Sequence, residues 1–192
     1  MKRAIFPLPV FLLPHGYTRL RIFEQRYLDM VKESLKSGSG FVLCQYDIDC
    51  YLNTPTRGCL VEIVDFTLDE GGVLVIDVAA MYAVEITDVI QDKNKLRYGQ
   101  TSKTKEPNWF TEPHTIERSD TCLVSALKDL FADNKQLRNL YRETQFDNFN
   151  WVIARWLELL PISIDKKQQL AYKSDFANIH TFLHTVINNE FT

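Results

Sequence analysis

The chain has 192 residues, 45% of them hydrophobic and 24% charged, with a formal net charge of −3. This is globular composition, long enough for one large domain or two small ones. The acidic balance lacks the basic footprint of a nucleic-acid binder, and no window holds the roughly 18 uninterrupted apolar residues of a membrane span.

Met1-Lys2-Arg3 precedes an apolar run, as in a signal peptide. Pro7, Pro9 and Pro14 interrupt that run and no small-residue cleavage site follows, so an amino-terminal strand is expected instead. The prolines fix φ and remove backbone donors, which places the segment at a sheet edge or around the outside of a barrel. Leu20-Arg21-Ile22 alternates as a half-buried strand does. The period then changes: Phe23, Tyr27, Met30, Val31 and Leu35 predict one helical face, and Ser37-Gly38-Ser39-Gly40 stops the helix. Glu24 is expected in the first turn, where its charge meets the positive end of the helix dipole. Arg26 is suited to pairing with a carboxylate, and Tyr27 to burying its ring behind a polar tip.

Phe41 to Tyr46 reads as a buried strand. Leu60 to Phe66, the Gly71-Gly72 turn and Val73 to Val78, running on towards Ile86, predict a hairpin. A further strand is expected within Leu96 to Lys105. Short strands joined by turns, without helical crossovers, suggest an antiparallel barrel or sandwich.

Near residue 115 the pattern turns helical. Ser119-Asp120-Thr121 can cap a helix carrying Leu123, Val124, Leu127, Leu130 and Phe131. Asn134 interrupts it before Leu137, Leu140 and Tyr141. Asp147 or Asn148 opens the next helix, with Phe149, Val152, Ile153, Trp156, Leu157 and Leu160 inside, and Pro161 ends it. Ser163 starts a short helix to about Tyr172. Ser174-Asp175 caps the last, with Phe176, Ile179, Phe182, Leu183, Val186 and Ile187 inward. The expected organisation is α+β: a barrel-like part over residues 1–115 and a helical part over 116–192.

Chemistry-bearing clusters are sparse. His180 and His184 have the i, i+4 spacing of a metal pair, but the intervening Thr181-Phe182-Leu183 lacks the glutamate of a zinc-protease helix. The two are therefore expected as polar residues on the outer face of the last helix. Cys44, Cys50, Cys59 and Cys122 show no CxxC spacing, and buried small hydrophobes and reduced thiols in a cytoplasmic protein are expected. Asp65, Asp69, Glu70 and Asp77 flank a turn and read as solvated charge. Trp109-Phe110, in a polar, proline-containing stretch, suits either an exposed peptide anchor or a plug between barrel and helices. No catalytic residue, metal or cofactor is predicted.

Three segments carry a family resemblance. Pro7-Leu8-Pro9-Val10-Phe11-Leu12-Leu13-Pro14-His15-Gly16 runs through Leu20-Arg21-Ile22-Phe23-Glu24-Gln25-Arg26-Tyr27-Leu28-Asp29-Met30-Val31. Gly58-Cys59-Leu60-Val61-Glu62-Ile63 is a glycine-led strand. Leu159-Leu160-Pro161-Ile162-Ser163 is followed by Lys167-Gln168-Gln169-Leu170. Together they resemble the N-terminal, substrate-binding domain of ATP-dependent Lon protease. The chain departs from that pattern at Ala80, Ala83 and Val84, where the family often has a glycine and an Arg-Phe pair.

The resemblance implies a six-stranded, PUA-like barrel with one helix, followed by a helical bundle. It implies a non-enzymatic module that recognises polypeptide segments or a protein partner, in a stand-alone member without ATPase and protease domains. The phosphate-cradling Gly-x-x-x-x-Gly-Lys-Ser/Thr loop of the ATPase is absent from the sequence. The expected binding surface includes Trp109, Phe110, Arg26 and Tyr27, with a groove between barrel and helices as the seat. An adaptor presenting clients to a protease or chaperone, and a small enzyme or small-molecule binder using that groove, are the alternatives.

Overall fold

The structure is a computed structural model that describes residues 1–190, with side chains described to Ile187. It divides into two compact units, Met1–Lys105 and Glu106–Thr192. This division falls earlier than residue 115, because the segment around Trp109 is tied into the helical unit. The Trp109 indole N–H donates to the Ala171 carbonyl at 2.7 Å. The buried Asn150 amide donates to the carbonyls of Phe110 at 3.0 Å and Glu112 at 2.7 Å.

The first unit is a six-stranded sheet in the order β2-β5-β4-β3-β1-β6, closed by pairing of β6 with β5. The strands are β1 (Lys2–Leu8), β2 (Tyr17–Ile22), β3 (Phe41–Gln45), β4 (Arg57–Leu68), β5 (Leu74–Gln91) and β6 (Arg97–Lys103). One helix, α1 (Gln25–Ser37), follows β2. Closure depends on β5, whose 18 residues serve three neighbours. Its first part pairs with β2 and β4 at once, and its last part pairs with β6.

The sheet is mixed rather than antiparallel throughout. β1 runs parallel to β3, with Ile5 opposite Val42 and Leu8 opposite Gln45. β2 and α1 supply the long connection that a parallel pair requires. Pro7 lies within β1 two residues past the last pairing with β6, Ile5 opposite Arg97, so on that side there is no ladder for its missing N–H to break. Gly58 is required by close approach: a Cβ there would stand 2.6 Å from Val42 Cγ1 and 2.8 Å from the Leu43 carbonyl oxygen.

The barrel core gathers Phe6, Leu20, Ile22, Phe41, Val61, Ile76 and Val78 against Tyr27, Met30 and Val31 of α1. Two expectations for α1 are corrected. Glu24 is the N-cap residue with extended backbone, outside the first turn, and its carboxylate pairs with Arg26 at 2.6 Å instead of capping. Phe23 precedes the helix and is 74% exposed, and Leu35 also faces solvent; Ser34 completes the buried face. Gly38 ends the helix in the left-handed conformation, donating its N–H to the Ser34 carbonyl.

The second unit holds α2 (Asn108–Thr111), α3 (Thr121–Asp133), α4 (Lys135–Leu140), α5 (Phe149–Leu159), α6 (Ile164–Lys173) and α7 (Phe176–Glu190). Side-chain oxygens of Asn134, Asn148 and Ser163 accept N-cap hydrogen bonds for α4, α5 and α6. α5 is the centre of the bundle: every residue from Phe149 to Leu157 is buried, including Trp151, which the one-sided pattern omits. A helix buried all round must neutralise its own charge. Arg155 is fully buried, with Nε 2.9 Å from Glu158 Oε2 and an Nη2 donor 3.0 Å from Oε1. Its guanidinium lies 5.5 Å from the Trp151 ring. The Lys167 ammonium donates to the Glu158 carbonyl at 2.6 Å.

Removing one member of a buried pair leaves the other charge without compensation. Glu158→Ala is therefore expected to lower stability by about 3–5 kcal/mol in chemical denaturation. A loss under about 1 kcal/mol, typical of an exposed pair, would contradict this account.

Candidate functional site

The distal half of β4 leaves the barrel. β3 pairs with β4 only from Cys59 to Val61, whereas β4 continues beside β5 to Leu68. Phe66 lies opposite Ile76 and Leu68 opposite Leu74; on the other side of β5, Leu20 faces Ile76 and Ile22 faces Leu74. Residues directly opposite in a sheet share a face. One apolar face therefore runs from β2 across β5 to β4. It is buried at Leu20, Ile22 and Ile76 but emerges at the β4 edge, where Phe66 is 59% and Leu68 67% exposed. Phe23, next to Ile22, stands at the same end of these strands.

Polar groups brace this edge. Arg19 makes a bidentate pair with Asp77, both contacts at 2.7 Å, and Arg21 pairs with Asp69 at 2.6 Å. Asp69 also accepts the N–H groups of Gly71 and Val73, which closes the turn with Gly72 at φ 75°. The Phe66 N–H donates to the Asp65 carboxylate at 2.8 Å.

A second concave region, of about 600 Å³, lies between β1, β6, α1 and the turn before β6. Arg26 lines it together with Arg3, Asp29, Glu33 and Asp92. Arg26 also donates to the Lys95 carbonyl at 3.1 Å, so it braces α1 against that turn. Tyr27 turns the other way, into the core, with its ring stacked 3.9 Å from that of Phe6. Burial pushes its phenol above the usual range. Tyr27 is therefore a packing residue, and Arg26 alone of that pair reaches a surface.

Trp109 is 3% exposed and hydrogen-bonded through its indole nitrogen, so it does not project as an anchor. It packs edge to face with half-buried Phe110 and lines a shallow depression of about 690 Å³ with Tyr172 and Phe176, all within the helical unit.

His180 and His184 do not lie on an outer polar face. Both Nε2 atoms turn inward to one oxygen of buried Asp120, Oδ1, at 2.6 and 3.0 Å. Burial alone would raise the Asp120 carboxyl, but hydrogen bonds from His180, His184 and the Glu117 N–H outweigh it and hold the group below the usual carboxylate range. The i, i+4 spacing marks the histidines; their partner lies 60 and 64 residues away in sequence, and only folding shows it.

The family model for the ATP-dependent protease La (LON) substrate-binding domain matches residues 2–178. The chain belongs to that family. It is similar to the crystal structure of a Lon N-terminal domain protein from Xanthomonas campestris, with 26% identity, 95% of this chain and 96% of that chain covered, and a TM-score of 0.70. It shares its fold with the N-terminal domain of a Lon protease from the Mycobacterium avium complex, at 14% identity, 98% coverage of each chain and a TM-score of 0.65. No curated protein matches the chain. Among the described residues, no helix is long and apolar enough to cross a membrane.

Within this LON-family fold the thiols differ sharply. Cys44 is buried and its thiol is pushed up to about 12, chiefly by desolvation. Cys59 is also buried, Cys50 donates to Asp47 at 3.2 Å, and Cys122 is exposed. Alkylation of the native protein near pH 8 should label Cys122 first and spare Cys44 and Cys59 until denaturant is added, as read by peptide mass spectrometry. Rapid labelling of Cys44 would contradict its burial. Trp109→Ala is expected to destabilise the protein by about 3–5 kcal/mol, as for other large core truncations. Loss of partner binding at unchanged stability would restore the anchor reading.

Proposed function

We propose that this chain is a non-enzymatic module that recognises exposed polypeptide segments, with the outer edge of β4 as its contact surface and the cytoplasm as its setting. The observation that carries the reading is the apolar face of β2, β5 and β4 running out into solvent at Phe66 and Leu68. Large exposed apolar side chains on an unshared strand edge are a usual mark of an interaction site. Membership of a substrate-binding family supports the same conclusion.

An unfolded segment offers what this surface lacks: apolar side chains to cover Phe66 and Leu68, and an extended backbone to lie along β4. The Phe66 N–H is already bonded to Asp65. Side-chain burial, rather than a full ladder of backbone bonds, therefore supplies most of the affinity. Covering each of these side chains contributes about 1.5–3 kcal/mol at most.

The test is binding of a permanently unfolded probe, reduced and carboxymethylated α-lactalbumin, to the wild type and to the Phe66→Ser, Leu68→Ser double variant. The double variant is expected to bind roughly tenfold to a hundredfold more weakly, with its melting temperature nearly unchanged because both side chains are exposed. Equal binding by both proteins would move the surface elsewhere. No binding by the wild type would sink the polypeptide reading.

A further inference from the structure

The Asp120, His180 and His184 cluster has a geometry that hydrogen bonding alone does not require. Asp120 Oδ1 and the two Nε2 atoms form a triangle with edges of 2.6, 3.0 and 3.2 Å. Two imidazole donors satisfying a carboxylate have no reason to crowd each other, yet their Nε2 atoms stand 3.2 Å apart. A metal ion does impose such convergence. Ligand atoms about 2.0 Å from a tetrahedral zinc stand about 3.3 Å from one another. The triangle would reach that size by opening about 0.1 and 0.3 Å on its two longer edges and about 0.7 Å on the shortest.

The surroundings hold the three groups in place. Asp120 is 2% exposed, and its other oxygen, Oδ2, accepts the Glu117 N–H at 2.9 Å, which fixes the carboxylate plane. The His180 ring lies between Phe149, edge-on at 6.0 Å, and Phe176, stacked at 5.6 Å. Cys122 Sγ stands 3.9 Å from Nδ1 of His184, on the opposite side of that ring from Asp120, where it can orient the imidazole without being a ligand. Both rings keep partial exposure, with 29% and 20% of their side-chain surfaces open. An ion thus has a route in and room for a water to complete its shell. Among the described residues this is the one group of His, Cys, Asp and Glu side chains that brings three ligand atoms within 4.8 Å of one another.

We propose that Asp120, His180 and His184 bind a divalent first-row transition ion of the zinc class, which clasps α7 to the start of α3. Two imidazoles and a carboxylate suit zinc and its borderline neighbours better than magnesium or calcium, which prefer all-oxygen shells. The site stands apart from β4 and does not depend on the polypeptide-binding reading.

The test uses the full chain, stripped with a chelator and dialysed, then titrated with zinc chloride by calorimetry. One equivalent is expected to bind and to raise the melting temperature. His184→Gln and His180→Gln keep a polar side chain but lose the imidazole ligand. Each should weaken binding by about 100-fold or more and abolish the zinc-dependent thermal shift, while circular dichroism confirms the fold. Cobalt(II) added to the wild type gives a measurement that no variant can confound: intense visible bands of a four- or five-coordinate ion without a thiolate charge-transfer band. Absence of stoichiometric uptake, uptake unchanged in both variants, or a thiolate band placing the ion on cysteine would each overturn the proposal.

Discussion

Closure of the sheet by β5 is the constraint on which the first unit depends. A strand of ordinary length can hold two neighbours; β5 holds β2 and β4 at its start, then β4 and β6 at its end. It does so by bending. The pairing with β6 shifts register between Thr87 and Ile90, where Asp88 takes a positive φ of 50°. The bend lets β6 close on β5 and leaves the early half of β5 reaching beyond the ring, where β2 pairs with it. Small residues, Ala79, Ala80 and Ala83, occupy the middle of that strand and are all buried.

The overhang of β4 follows directly. Because β3 needs only a short stretch of β4 to complete the ring, the remainder is supported from one side. The apolar alternation that builds the core inside the ring therefore continues into a region where no second layer covers it. The exposed patch and the barrel core are one pattern, cut at the point where β3 stops. No special sequence signal separates Val61, fully buried, from Phe66, largely exposed.

This explains which features the amino-acid pattern could disclose. Local devices were legible: the Gly71-Gly72 turn, the Gly38 stop, the caps at Asn148 and Ser163, and the apolar faces of α3, α5 and α7. The family motifs carried the six-stranded barrel with its helical partner. Features set by distant pairing were not legible. The parallel match of β1 to β3 depends on a connection that passes through β2 and α1. Trp109 reads equally as an anchor or a packing plug in its polar neighbourhood, and its burial follows from its hydrogen bond to Ala171 in α6. The histidines disclose only their mutual spacing, and Asp120 reads as a cap for α3 although its side chain makes no cap hydrogen bond there and turns to Glu117 and the histidines instead. Arg155 is a milder case: a charged residue in an apolar helix looks like a solvent-facing position until Glu158 and the aromatic wall are seen around it.

The carboxylate of Asp65 bears on solubility. A bare strand edge flanked by phenylalanine and leucine is a template for copies of the same chain to pair and aggregate. Here the Phe66 N–H is already engaged by the side chain beside it. Two copies meeting edge to edge would each have to release that bond and bring two carboxylates into a drying interface. An apolar segment from another polypeptide meets the obstacle once and adds no second charge. The edge is thereby biased against pairing with its own kind and towards an uncharged apolar segment.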